Sequence, residues 1–459
     1  MLSSSMAERT VPVFVQARVA GQRAGYPVLA VARVLLVAIL LAAPLAFGAV
    51  EVWAWTSLTV LAFLALLLWG IGCVQQGVAK IFWAPLYLPA AIFLLFGVIQ
   101  YCGNLTIDPI ATREALLKLV TDLIFFFLAG QLWASSSKKT RRAFGLVVAA
   151  YAFLLSMSAI LQFFSGPAFN YFNYWTLHSL WGAFGTYVNR NHYAGLMEML
   201  IPLAAANALS PPHGHSRRGL LGFAVLLPIV SSLLTGSRGG FIALLAEIVT
   251  LAAILSKSAS FSARRSLLTF GVLGITAAAI LFFWIDPGEV SKRLGGVFNP
   301  TISSNASSAE REAVALDCLH ILRDHPWVGS GLGSFETVYP RYQSLPNEDI
   351  WQHAHNDYAE ALAETGLAGG LLILGALLMF FPLAFRNLSA RLSQHGGWMQ
   401  MGATLGCCGL LVHSYFDFNL RIPANALWFA VCAGLGSTVT TTAPPVEYNG
   451  RLNEMMPTA

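Results

Sequence analysis

Apolar runs long enough to cross a bilayer recur along this chain, and no other feature limits its fold as strongly. A helix needs roughly 20 apolar residues to span the hydrocarbon core. Runs of that size fall near 27–49, 53–73, 83–101, 116–134, 143–164, 191–209, 219–235, 239–256, 266–285, 356–383, 398–416 and 424–440. Only 11% of the residues are charged, against about 25% in soluble domains, which excludes an ordinary water-soluble enzyme. The expected architecture is all-α and polytopic, with about 12 transmembrane helices and a large loop between the ninth and tenth. It divides into a cytoplasmic tail (1–26), spans one to nine (27–285), a periplasmic loop carrying an amphipathic helix (286–355), spans ten to twelve (356–440) and a second cytoplasmic tail (441–459).

Orientation follows from Lys and Arg in the short loops, which stay on the cytoplasmic side. Arg9, Arg18 and Arg23 precede the first span, and Lys138, Lys139, Arg141 and Arg142 follow the fourth. Arg217 and Arg218, then Lys257, Arg264 and Arg265, then Arg386 and Arg391 follow the sixth, eighth and tenth. With twelve spans and both termini inside, all of these lie on one face. The formal net charge of +5 therefore reflects topology and does not point to nucleic acid. The six cysteines lack metal-ligand spacing; Cys102 and Cys318 fall on the outer side, where they could pair.

Cations on the outer face run against that trend, and each needs a reason. Asn189-Arg190-Asn191-His192 opens the sixth span, Ser237-Arg238-Gly239-Gly240 the eighth, and His353-Ala354-His355-Asn356-Asp357 the tenth. All three are helix N-termini, where unpaired N–H groups and the helix dipole already supply positive potential. An arginine added there disfavours the helix but suits an anion, phosphate above all. The glycines after Arg238 would let a ligand approach the backbone. Either arginine taken alone could instead reach to lipid head groups. The His353/His355 pair has metal-like spacing but no further cluster of ligands. Asn356, Glu360 and Glu364 form a polar stripe on the tenth span, and Asp122, Glu198 and Glu247 add acids within spans, candidates for function or for interhelical pairing.

The long loop also has structure. Ser307 and Glu310 fit a capping box, and Val314, Cys318, Ile321 and Leu322 recur at helical spacing. The helix should stop before His325-Pro326. Gly329-Ser330-Gly331-Leu332-Gly333 reads as a turn, and Arg311 sits in the helix's first turn.

These motifs resemble the O-antigen ligase and polymerase superfamily. Asn189 to Gly195, Ser237-Arg238-Gly239, Arg311 to Phe335 with His325-Pro326-Trp327-Val328-Gly329, and His355-Asn356-Asp357-Tyr358 followed by Glu364-Thr365-Gly366 carry the likeness over about residues 180–420. The resemblance implies an inverting, metal-independent glycosyltransferase of the bacterial inner membrane, without a cofactor and with its site facing the periplasm. It would move a glycan from undecaprenyl diphosphate to an acceptor hydroxyl on lipid A core, on a second lipid-linked repeat or on protein. By motif, His355, Arg238 and Arg311 are the catalytic candidates, and Arg190, Asn191, His192, Ser237, Gly239 and Asn356 the substrate-binding ones. After Arg311 the sequence reads Glu-Ala-Val-Ala-Leu, without the aromatic residue the family usually carries. The residue chemistry agrees: arginines at helix N-termini suit a departing diphosphate, and histidine suits proton removal from a hydroxyl. The alternative is a polytopic transporter of lipid-linked or small anionic substrates, although the polar groups gather at one mouth rather than at the bilayer midplane.

Overall fold

A computed structural model describes residues 27–76, 79–134, 136–165, 183–210, 215–256, 308–344, 350–386, 388, 392, 395–438 and 446–448. The long helices are α1 (Pro27–Leu45), α2 (Val52–Gln75), α3 (Tyr87–Cys102), α4 (Pro109–Ala134), α5 (Lys138–Ser165) and α6 (Arg190–Leu209). They continue as α7 (His215–Leu234), α8 (Arg238–Ser256), α9 (Ser308–Asp324), α10 (Asp357–Phe385), α11 (His395–His413) and α12 (Pro423–Thr438). Eleven of the twelve expected spans fall on these helices. The ninth, 266–285, lies outside the described residues, as do Ser307 of the expected capping box and the N-terminal tail. A short antiparallel ribbon pairs β1 (Ala79–Ile81) with β2 (Val446–Tyr448).

Six helices, α1, α2, α4, α5, α8 and α10, are long and apolar enough to cross a membrane. Their outer faces carry exposed apolar side chains such as Val34, Leu67, Leu154, Val249, Leu371 and Leu378. Water would penalise such faces and lipid does not. The protein is thus an all-α integral membrane protein. Neighbouring helices shield α6 and α11. α6 is buried along nearly its whole length, and α11 meets it backbone to backbone. A Cβ on Gly402 would lie 2.7 Å from the Pro202 carbonyl, and one on Gly406 2.9 Å from Met199 Cα. This is the small-residue spacing that lets membrane helices approach closely.

The segment before α10 builds a small core of its own. Val314, Cys318 and Ile321 of α9 pack with Phe335, Tyr339, Trp351 and Ala363. α9 ends at Asp324, immediately before His325-Pro326, as the proline requires. Cys318 is buried here and Cys102 exposed, and both are free thiols. The glycine-rich turn has a specific partner. α10 breaks at Gly366, whose φ of 62° and ψ of −166° leave helical space. Into the break fits the turn 326–331: Ser330 N and Gly331 N each donate at 2.9 Å, to the Ala363 and Glu364 carbonyls, and Leu367 N donates to Pro326 O at 2.8 Å. Side chains at Gly329 or Gly366 would collide with the opposite backbone. The glycines are packing requirements, and the junction fixes the loop to α10 at Gly366, nine residues beyond its first residue.

Candidate active site

The N-termini of α2, α4, α6, α8, α10 and α12 gather at one end of the bundle, joined there by the turn 414–421 between α11 and α12. Asp417 in this turn is fully buried. His355 Nδ1 lies 2.9 Å from Asp417 Oδ1. Asn191, second residue of α6, donates its amide Nδ2 to Asp417 Oδ2. Arg311, on the first turn of α9, brings a guanidinium nitrogen to 3.7 Å of the same oxygen, and His192 Nε2 stands 3.8 Å from Oδ1. Three separate segments thus meet on one carboxylate. Burial pushes the Asp417 carboxyl up, but His192, His355 and Arg311 outweigh it and hold the group well below the usual carboxylate range.

Phe418 forms the floor of this centre. Its ring lies 4.6 Å from His192, 4.4 Å from His353 and 4.8 Å from His355. His355 has a left-handed backbone, φ 50°, a costly conformation for a residue with a Cβ and one concentrated at functional sites. The two histidines of the His-Ala-His motif diverge. His353 Nδ1 pairs with Glu360 at 2.9 Å, whereas His355 pairs with Asp417. They share a ring but engage different carboxylates.

Side chains cap the helix openings, and two of them, Ser237 and Asn356, are residues the sequence offered for substrate binding. Asn189 Oδ1 accepts from Asn191 N at 2.9 Å, Ser237 Oγ from Gly240 N at 3.2 Å, and Asn356 Oδ1 from Tyr358 N and Ala359 N at 3.0 and 3.1 Å. Ser237 Oγ also lies 3.4 Å from His413 Nε2, and His413 Nδ1 lies 2.6 Å from Glu198 Oε1. This buried chain ties α8 to α11 and α6. Arg190 and Arg238, both half-buried, are therefore each one residue from a side chain that contacts Asp417 or His413. The glycines of α8 differ from expectation. A Cβ on Gly239 would strike the His413 ring and one on Gly240 would come within 2.9 Å of Ala194. Protein, not open space, covers them, and their role is helix packing.

Residues passed over in the sequence complete the centre: Asp417, Phe418 and Arg421. Arg421 reaches Glu360 at 3.2 Å through Nε and Glu364 at 2.6 Å through a terminal nitrogen. It anchors the turn that carries Asp417 to the first two turns of α10. The Glu364 carboxylate serves Arg421, not His355.

The chemistry follows from these bonds. An anionic partner at Nδ1 keeps the proton there and leaves Nε2 of His355 as the ring's acceptor. Arg311 Nε is buried without an acceptor among the described residues.

Fold and centre together define a polytopic membrane protein with a carboxylate–imidazole–guanidinium site at one end of its bundle. Residues 223–374 match the family model described as O-antigen ligase, which places this stretch in the O-antigen ligase/polymerase superfamily that the motifs resemble. The matched stretch includes Arg238, Arg311 and His355, whereas Asn191 and Asp417 lie outside it. No curated protein matches the chain. The family is associated with glycosyltransferase-type ligases that act on lipid-linked glycans and acceptors.

Proposed function

We propose that the protein transfers a glycan from undecaprenyl diphosphate to an acceptor hydroxyl at the periplasmic face of the inner membrane. The observation that carries this reading is the meeting of His355 and Arg311 on Asp417. His355 Nε2 takes the proton of the acceptor hydroxyl as its oxygen attacks the anomeric carbon. The bond from that carbon to the diphosphate breaks, and its electron pair leaves with the diphosphate. Arg311 and Arg238 stabilise the charge that grows on those oxygens, with the N-termini of α6 and α8 adding their dipoles. Asp417 holds the imidazole in its base tautomer and stabilises the imidazolium that forms. One displacement inverts the anomeric carbon. The guanidinium groups provide the positive charge the leaving group needs, so the transfer proceeds without a metal.

The test is transfer by purified protein in excess chelator, with donor binding measured separately. Wild type should turn over, and His355→Ala should retain donor binding while losing about 10²–10⁴ in rate, the contribution of a positioned base. Normal turnover in His355→Ala, or wild-type activity that requires a divalent ion, would refute the assignment.

A further inference from the structure

Beside the His355–Asp417 centre lies a cavity of about 580 Å³ between α2, α4, α10 and α12. α4 and α12 touch where a Cβ on Gly434 would come within 2.6 Å of the Phe126 carbonyl, and Leu332, Gly333, Phe335, Glu336, Gln352 and His353 also line the cavity. The volume falls among those of small-molecule sites, about 300–1,000 Å³.

Apolar side chains such as Leu58, Phe126, Leu427 and Ala430 make much of its wall, and charged groups interrupt them. Glu114, Lys118 and Asp122 line it from α4 at i, i+4 and i+8, and Asp357, Glu360 and Glu364 line it from α10. Both cations are already among carboxylates. Arg421 bridges Glu360 and Glu364. Lys118 lies one turn from Glu114 and one turn from Asp122, its ammonium 5.1 Å from the centre of the Trp55 ring. A hydrocarbon chain laid against these groups would keep charges in a low dielectric. A diphosphate would meet more carboxylates than cations. An uncharged, hydroxyl-rich ligand meets neither penalty: its O–H groups donate to carboxylates, which accept, and its C–H edges rest on the faces of Trp55, Phe93 and Phe335.

Asp357 also lines the cavity, and its Oδ2 accepts from Leu420 N at 3.0 Å. The cavity also reaches the transfer centre. His353 lines it and shares Phe418 with His355, so the two imidazoles are no farther apart than the 4.4 and 4.8 Å legs laid end to end. A disaccharide covers that span.

We infer that this cavity is the acceptor subsite and that it takes uncharged sugar residues, not a phosphorylated head group or a lipid chain. The inference rests on the transferase reading above. The test uses the full chain in lipid nanodiscs, with Trp55 fluorescence as the readout and Trp55→Phe as background. The probes are a panel of neutral di- and trisaccharides of the common hexoses and N-acetylhexosamines, the same sugars carrying one phosphate, and a spin-labelled fatty acid. At least one neutral saccharide should change the signal, its phosphorylated form should bind at least tenfold more weakly, and Glu114→Gln and Asp357→Asn should each weaken the neutral sugar at least tenfold. Undecaprenyl diphosphate binding should be unchanged in Glu114→Gln. Quenching by the spin-labelled chain alone, tighter binding of the phosphorylated sugars, or no response to any neutral saccharide would overturn the inference. If wild type binds saccharide but no undecaprenyl diphosphate, it is the transferase reading that fails.

Discussion

Replacing Asp417 by asparagine should disable the base without disturbing the fold, and the structure says why. Asp417 is isosteric with the amide and fully buried, so the change adds no volume. Asn191 donates its Nδ2 to one Asp417 oxygen, while His355 Nδ1 lies 2.9 Å from the other. In Asp417→Asn, the Asn191 amide and the Arg311 guanidinium hold the new carbonyl oxygen on their side against the single backbone donor Phe418 N on the other, and the new NH₂ faces His355 Nδ1. That nitrogen must then accept, the ring proton moves to Nε2, and the base is lost. The imidazolium formed during transfer also loses its counter-charge. Loss of the orienting carboxylate in an acid–base site costs up to about 10⁴ in rate, and a positioned base contributes about 10²–10⁴. A fall in turnover of 10²–10⁴ corresponds to roughly 3–5 kcal/mol of barrier. Donor binding should survive, since Arg238 and Arg311 remain. Transfer is measured in membranes from a strain lacking the chromosomal copy, and thermal unfolding of the purified variant controls for folding. Turnover within threefold of wild type in a natively stable Asp417→Asn variant would refute the role given to this carboxylate.

Arg238→Lys should impair transfer nearly as much as Arg238→Ala, because lysine keeps the charge but loses the planar fork that fits phosphate oxygens; full activity in the lysine variant would reduce Arg238 to a head-group anchor. Gly366→Ala should lower stability by about 1–3 kcal/mol, the usual cost of a strained backbone, because the new Cβ would meet Gly329 N and the Trp327 carbonyl at 2.6 Å; thermal unfolding in detergent reads it, and an unchanged midpoint would contradict the junction described between the 326–331 turn and α10. Cysteines introduced at Lys139 and Ser303 should react with impermeant reagent from opposite sides of the membrane, Ser303 from the periplasm; labelling from one side would overturn the orientation of the site.

The helices were legible because membrane burial imposes a long apolar period on each one, and eleven expected spans land on helices. The stop of α9 at Asp324 and the turn at 329–333 followed from Pro326 and the glycines. His355, Arg311 and Asn191 stood out by residue type and by their place at helix openings. Asp417 did not. It lies in Ser-Tyr-Phe-Asp-Phe-Asn-Leu-Arg, between two apolar runs, and its partners His355, Arg311 and Asn191 are distant in the chain, so its role emerges only when α6, α9 and α11 meet. Arg421 did carry a readable signal: it is one more cation in a loop expected on the outer side, the same departure from the positive-inside pattern that marks Arg190 and Arg238. The glycines of α8 were legible as a need for close approach, but the approaching groups are His413 of α11 and Ala194 of α6, which no local pattern reveals.

The anomeric configuration of the product tests the account most directly. Purified protein is given a glycan of known anomeric configuration on undecaprenyl diphosphate, and the new linkage is read by NMR from the anomeric coupling constants. One displacement, with His355 activating the acceptor and the arginines holding the departing diphosphate, predicts complete inversion. Retention would require a glycosyl-enzyme intermediate and would contradict the roles assigned to His355 and Asp417.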